Sequence, residues 1–457
     1  MTKNSSREKT QYTSAAGLCA TAIHLESIGF WKPIEKRVHI PQKTVRYTPF
    51  EKLKTVICLF MAGGNHVVET NKLIRSDEPL CRAVGCAPCD QSVVQDTLSS
   101  CTPETVEQFR AATREIFQRF GRAMRHRFSK GLLILDLDFS GLTCGRKAEG
   151  ATKGYFAHRR NKVGRQLGRA LASQYDEVVC NDVYAGTEQL GRAVSALVQA
   201  AASVLDLTPA KKTRTLIRTD GGGGTKEDIL WLNAEGYRFI TKVYAWHTAK
   251  ALARKVQRWI DDPRTPGRQV GLVPQGDTGY PPGVMLVGLR FMKDNGKYGG
   301  ATIATNLSAK DAIALAGWPA CEAEDADRVA LACTLIYDKR GGGIETAFKE
   351  DKQGLALGKC NKRLMAAQQM ITGSIALAHN ITVWARAWLA EVVPDLSQFG
   401  IFRMVRDILA VRGCVTTRKR APILITFSVT YPYVNKIHRA FQGLLDPHLA
   451  TLHLGEI

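Results

Sequence analysis

Apolar residues between Thr48 and about His126 recur at three-to-four spacing, most clearly at Leu53, Val56, Ile57, Phe60 and Met61, the period of a helix with one buried face. Thr102-Pro103-Glu104-Thr105 supplies a helix start, an N-cap followed by proline, and the helix runs on through Phe109, Ile116 and Phe117. The segment from Asp90 to Leu98 could form part of a helix-turn-helix, but short helices with a Ser or Asp cap are common and an ordinary capped helix is the favoured reading. Residues 1 to about 45 are polar and expected to be loosely structured. At Leu132 the pattern changes. Strands are expected at Leu132 to Phe139, Gly168 to Ser173, Glu177 to Tyr184, Thr213 to Thr219 and Tyr237 to Val243, with helices at Glu188 to Leu205 and Thr225 to Glu235. This rhythm predicts an α/β core with a mixed sheet. Tyr244 to about Glu324 breaks it with Pro263, Pro266, Pro281 and Pro282, and with strand-like runs at Val284 to Phe291 and Ala301 to Asn306. It is expected to be a β-rich insertion separable from the core sheet. Arg328 to Tyr337 then leads into a long helical region from about Ile344 to Glu391. The division that follows is an N-terminal helical region at 1–126, expected to bind DNA, a core in two parts at 127–243 and 326–392, the insertion at 244–325, and a helical, basic region at 393–457.

The chain has 457 residues, 45% of them hydrophobic and 23% charged, as in ordinary globular proteins. Its most apolar stretch, Ile371 to Leu389, is interrupted by His379, Asn380 and Arg386, so no membrane span is expected. The first twenty residues carry Lys3, Arg7 and Lys9 with no apolar run behind them; no secretory signal is read there, and a cytoplasmic location is expected. Lysine and arginine number 63 against 42 acids, a net charge of +21. Such an excess favours polyanions, because neutralised phosphates release condensed counterions. With no basic amphipathic helix or lipidation motif, the expected partner is nucleic acid rather than membrane. Twelve cysteines in such a chain read as free thiols. Cys86-x2-Cys89, near Cys81 and Cys101, has zinc-ligand spacing, but no second pair or histidine pair completes a site, so buried thiols are expected.

The candidate chemistry is acidic. Leu132-Leu-Ile-Leu-Asp136-Leu-Asp138-Phe-Ser140 is an apolar strand with carboxylates at alternate positions, which places Asp136 and Asp138 on one face. Charges in such a run are costly unless paired or bound to metal. Asp220 ends the strand Thr215-Leu-Ile-Arg-Thr-Asp and is followed by Gly221 to Gly224, which let backbone or ligand approach closely. The order Gly221-Gly-Gly-Gly-Thr-Lys226 excludes a Walker loop, which ends in Gly-Lys-Ser/Thr. A third carboxylate, Glu345, follows Tyr337-Asp-Lys-Arg340-Gly-Gly-Gly-Ile. On a helix starting near Ile344, Lys349 and Lys352 would share its face. Between the first two acids, Arg146, Lys147, Lys153, His158, Arg159, Arg160, Lys162, Arg165 and Arg169 form a glycine-rich basic loop opposed only by Glu149. A second basic patch runs from Arg403 to Arg420.

Three blocks, Leu135-Asp-Leu-Asp138-x-Ser140, Arg218-Thr-Asp220-Gly, and Tyr337-x2-Arg340 through Ile344-Glu345 to Lys352, resemble those of bacterial insertion-sequence transposases with a Y-R-E-K signature, in the branch described as DDE domain group one. The resemblance extends from about Thr48 to Leu444, including Trp231-Leu-Asn-Ala-Glu-Gly-Tyr237. It implies an RNase H-like mixed-sheet catalytic core. Asp138, Asp220 and Glu345 would then be the catalytic acids, holding two Mg²⁺ or Mn²⁺ ions about 3.5–4 Å apart. Tyr337, Arg340, Lys349, Lys352, Arg159, Arg160 and Lys162 would meet DNA. The implied activity is cleavage at element ends and strand transfer into target DNA, by at least a dimer on the DNA. Trp246, Trp259 and Trp318 are candidate base platforms by location only. Four residues separate Arg340 from Glu345 where the signature has three, so Glu350 is an alternative third ligand, as Asp136 is to Asp138. The competing functions are a non-catalytic, transposase-derived DNA-binding protein and a metal-dependent nuclease without strand transfer.

The basic loop is expected to touch phosphates rather than base edges. Replacing Arg159, Arg160 and Lys162 together by Ala should weaken binding to every DNA sequence alike. It should also reduce the slope of log K against log salt by up to about 3. Fluorescence anisotropy across a salt series checks this; an unchanged slope with altered sequence preference would contradict it.

Overall fold

The apolar run beginning at Leu132 forms strand β1, Leu133–Thr143, in which Leu133, Leu135 and Leu137 are fully buried. Strands β2, Val163–Ala172, and β3, Glu177–Ala185, follow; then helix α1, Leu190–Val204, strand β4, Thr215–Thr219, helix α2, Lys226–Ala234, and strand β5, Arg238–Lys242. The structure is a computed structural model and describes residues 8–42, 46–86, 88–154, 156, 162–276, 278–292, 296–419 and 421–457. The chain packs as two units, one made of Met1–Gly121, Gly141–Arg165 and Phe348–Ile457, the other of Arg122–Ser140 and Gln166–Ala347.

The second unit holds the sheet, in the order β3-β2-β1-β4-β5. The Ser173 amide, just past β2, donates to the Ile134 carbonyl near the start of β1 at 3.2 Å, so these strands run antiparallel. A tight turn with Asp176 in the left-handed region (φ 58°) joins β2 to β3. Beyond β1 the direction changes: β4 pairs parallel with β1 from Leu133↔Thr215 to Leu137↔Thr219, and β5 pairs parallel with β4. Parallel neighbours need crossovers, which α1 and α2 supply. Three antiparallel strands followed by two parallel ones, with β1 at the centre, is the RNase H-like order. Helix α2 begins as its sequence suggests: the Thr225 hydroxyl accepts from the Asp228 amide at 3.1 Å.

The region expected to be a separable insertion is β-rich, but its strands continue the core sheet. They are β6, Ile260–Asp261, β7, Arg268–Leu272, β8, Met285–Met292, and β9, Tyr298–Thr305. Strand β9 pairs antiparallel with β5 (Ile303↔Lys242 to Thr305↔Ile240), and β8, β7 and β6 follow outward. The reason is the exposed edge of β5, whose unpaired backbone groups β9 satisfies. Val270, Val287 and Ile303 also join Leu216 and Ile240 in one core. Helix α3, Ala326–Arg340, lies on that core through Val329, Ala330, Cys333 and Ile336, and is capped by the Asp325 carboxylate on the Asp327 and Arg328 amides. The third acid was expected beside a helix start near Ile344. Instead α3 continues without a break through a π-helical turn, Gly341–Glu345, into the helix Thr346–Gly354.

In the first unit, helices Ala16–Ser27, Pro49–Met61, Pro103–Phe120 and Met365–Ala390 pack together, with Trp384 edge-on to Phe30 and Phe117. Thr102 caps its helix as expected, in a reciprocal hydrogen-bonded box with Thr105. Residues 393–457, expected to be helical, carry three strands of a four-stranded sheet: Lys9–Thr13, Gly413–Arg418, Ala421–Ser428 and Thr451–Gly455, in that order. Buried Val, Thr, Ile and Phe, residues that favour a pleated surface, account for two of these strands, Gly413–Arg418 and Ala421–Ser428. The core's second part, expected to run 326–392, leaves the sheet-bearing unit after Ala347. Cys81, Cys86, Cys89 and Cys101 are buried free thiols. Among the described residues no helix is long and apolar enough to cross a membrane.

Within the glycine run after Asp220, Gly224 is required by backbone approach. A Cβ on Gly224 would lie 1.8 Å from the Lys242 carbonyl oxygen, whereas one on Gly342 would meet nothing within 4 Å. Gly224→Ala should therefore destabilise by about 1–3 kcal/mol or more, and Gly342→Ala should stay within about 1 kcal/mol of the parent. Urea unfolding of the two variants checks the contrast.

Candidate active site

The last paired residues of β1 and β4 are Leu137 and Thr219, so the next positions, Asp138 and Asp220, stand side by side on strands about 4.8 Å apart. Both follow a residue of the same face two positions earlier, Asp136 and Arg218, which are themselves register partners. The Asp138 carboxylate accepts from the Phe139 amide at 2.8 Å and from Arg340 Nη1 at 2.9 Å. Burial pushes its pKa up to about 6; the Arg340 charge opposes that rise and Asp220 adds to it. Asp220 is held in place by the turn it caps, its Oδ1 accepting from the Gly222 amide at 2.8 Å.

Helix α3 and the π turn supply the other side. Arg340 is nearly buried and bridges two acids, Nη1 to Asp138 and Nη2 to Glu345 Oε1 at 2.6 Å. The π turn makes this bridge possible: its wider winding brings a residue five positions on over its starting point. The fourth residue between Arg340 and Glu345 is absorbed there, and Glu345 still returns to the guanidinium. Burial works against the Arg340 charge, but Asp138, Tyr337, Asp220 and Glu345 together hold its pKa above the ordinary value. Its Nε is buried and without a hydrogen-bond partner among the described residues, a donor left for an incoming acceptor. Tyr337 is buried, which pushes its phenol up to about 12, and the Lys242 ammonium lies 4.8 Å from its ring centre. Burial lowers the Lys242 pKa.

Asp136 occupies a different place from Asp138. Both its oxygens are engaged by Arg218, Nε to Oδ1 at 2.5 Å and Nη2 to Oδ2 at 2.8 Å, and Oδ2 also accepts from the Ser173 hydroxyl. It is fully buried. Glu350 belongs to the first unit, where its carboxylate accepts from the Phe402 amide at 2.8 Å. Lys349 and Lys352 are exposed on Thr346–Gly354, and Lys162 is exposed before β2. Arg159 and Arg160 lie outside the described residues. Of the tryptophans, Trp246 is 65% exposed, while Arg290 covers Trp259 and Arg328 covers Trp318. Sequence reasoning missed Arg218, Ser173 and Lys242. The signal for Arg218 was present: an arginine inside a buried strand needs a buried anion, and Asp136 was the surplus acid.

As they stand, no three His, Cys, Asp or Glu side chains among the described residues are grouped so as to hold a metal ion. The donors nevertheless suit a hard divalent cation, being carboxylate oxygens, and a cation already joins two of them, namely the Arg340 guanidinium.

No family model matches the sequence, and no curated protein matches it. Among solved structures, the chain is similar to one described as the cryo-EM structure of a piggyBac transposase synaptic complex with hairpin DNA, at 14% sequence identity and a TM-score of 0.44, covering 88% of this chain and 82% of that one.

Proposed function

We propose that this protein is a metal-dependent DNA transposase of the insertion-sequence type, cutting at its element's ends and joining them to target DNA. The observation that carries the reading is the meeting of three motif blocks far apart in sequence. Asp138 and Asp220 stand just past the last register pair of neighbouring strands, and Glu345 shares the Arg340 guanidinium with Asp138. The RNase H-like strand order and the net charge of +21 support it.

Asp138, Asp220 and Glu345 would hold the metal. Divalent ions held there would supply the activation of an attacking water or 3′-hydroxyl and the stabilisation of the leaving oxygen. Arg340 has two alternative partners, the carboxylates it now bridges and the DNA phosphates that the motif resemblance assigns to it. Phosphate oxygens draw the guanidinium away from Asp138 and Glu345, and its free Nε supplies a further donor to them. Tyr337 and Lys242 keep one wall of the site fixed. Lys349, Lys352, Lys162, Arg159 and Arg160 hold the backbone, and two copies act together on paired ends.

The test is incubation of purified protein with end-bearing DNA and Mg²⁺. Cleavage followed by joining to target supports the proposal; cleavage without joining identifies a nuclease, and binding without cleavage a non-catalytic DNA-binding protein. Asp138→Asn, Asp220→Asn and Glu345→Gln should each lower the cleavage rate by about 10³-fold or more while leaving the DNA Kd within about threefold. Glu350→Gln should keep cleavage. A dead Glu350→Gln beside an active Glu345→Gln would move the third ligand.

Arg340→Gln separates the two uses of the guanidinium. It should tighten Mn²⁺ binding by the DNA-free protein about tenfold, equivalent to about 1.4 kcal/mol, and weaken DNA binding. Calorimetric titration with Mn²⁺ checks this; equal Mn²⁺ affinity in the two proteins would show that Arg340 does not compete for the acids.

A further inference from the structure

Each of the three acids lies two residues from a member of one buried network. Asp136 precedes Asp138 on β1, Arg218 precedes Asp220 on β4, and Gly343 precedes Glu345 in the π turn. Arg218 holds both Asp136 oxygens and donates its remaining nitrogen, Nη1, to the Ile336 carbonyl of α3 at 3.0 Å. Ser173, past the end of β2, donates to Asp136 as well. A Cβ on Gly343 would come within 2.5 Å of Asp136 Oδ2 and 3.1 Å of Ser173 Oγ, so the π turn rests directly on this pair. Asp136 and Arg218 are 0% and 4% exposed in their side chains, out of reach of DNA.

We propose that the Asp136–Arg218 pair is a positioning device that sets the mutual spacing of Asp138, Asp220 and Glu345, fixing β1, β4 and α3 to one another immediately behind the acids. The inference rests on the proposed role of those acids and adds residues that contact neither metal nor DNA. A planar guanidinium suits the task because its fork fixes two oxygens and a carbonyl in one plane, which an ammonium does not do. A one-residue change of register along β1 or β4 would part the pair, so it also defines which residues stand side by side where the pairing of β1 with β4 ends.

A single substitution would leave a buried charge unpaired and endanger folding. The informative variant is therefore the apolar double replacement Asp136→Leu with Arg218→Met, compared with wild type and with Asp138→Asn. The readouts are Mn²⁺ half-saturation by electron paramagnetic resonance, DNA Kd by anisotropy, and folding by circular dichroism. The expected result is a folded protein with DNA Kd within about twofold of wild type and Mn²⁺ half-saturation raised about tenfold or more, with Arg218→Lys in between. A folded double variant whose Mn²⁺ half-saturation equals wild type overturns the positioning role while leaving the catalytic acids intact. If the double variant does not fold, Arg218→Lys decides: unchanged Mn²⁺ half-saturation overturns the inference and a raised one sustains it. Should Asp138→Asn bind Mn²⁺ as wild type does, the functional reading fails and this inference with it.

Discussion

The pairing of Asp136 with Arg218 is the contact on which the acidic end of the sheet depends. Two ions withdrawn from water carry a desolvation cost of several kcal/mol each, and their attraction repays it only when the remaining donors and acceptors are also satisfied. Here they are: Arg218 reaches a helix carbonyl and Asp136 a serine hydroxyl. Such a pair adds little net stability over an apolar one. What it adds is direction, since Leu and Met in its place would fill the volume without fixing one strand against the next.

The same geometry explains where the chain uses glycine. Gly343 is small because a carboxylate oxygen occupies the space a methyl would take, and Gly224 because a carbonyl does. Neither residue has a positive φ, so the constraint is proximity and not backbone conformation. The π turn belongs to the same account. Inserting one residue into a helix without ending it rotates everything beyond, and here that rotation returns Glu345 to Arg340. A helix that had stopped and restarted would have left the acid's direction to a loop.

Much of this was legible in the chain. Alternation in Leu132 to Phe139 placed both aspartates on one face, and the cap at Thr225 marked the helix after the second acid. The motif blocks singled out three acids, and the strand register shows how two of them, Asp138 and Asp220, become neighbours. Other features depend on partners remote in sequence. The strands after Tyr244 read as strands, but nothing local says that Tyr298–Thr305 completes the edge of Arg238–Lys242, because pairing is a property of two segments. Gly341 to Gly343 read as a helix breaker, since intrinsic propensity penalises glycine. Packing against Asp136 overrides that penalty. The strands near the C-terminus were missed although three of them pair with one another locally; their fourth neighbour, Lys9–Thr13, lies some four hundred residues away.

The guanidinium at the centre of the site follows from electrostatics. Carboxylates side by side where two strands cease to pair repel; two unit charges 4 Å apart interact by about 4 kcal/mol at an effective dielectric of 20. Burial and this repulsion both push the Asp138 proton affinity up. The folded chain therefore needs a cation among these acids, and Arg340 provides one from within the sequence. An internal counter-ion stabilises the arrangement without fixing it, because the same group binds phosphate at least as well. Under the proposed function, DNA that drew Arg340 away would leave the acids with their repulsion and with oxygens free for another cation. Affinity for DNA and affinity for a divalent ion would then be coupled, and reciprocally so by linkage: whatever filled the acids would release Arg340 toward the backbone. With a net charge of +21 drawing the chain to polyanions, the proposed exchange would tie the reactive state of the site to the presence of DNA within it.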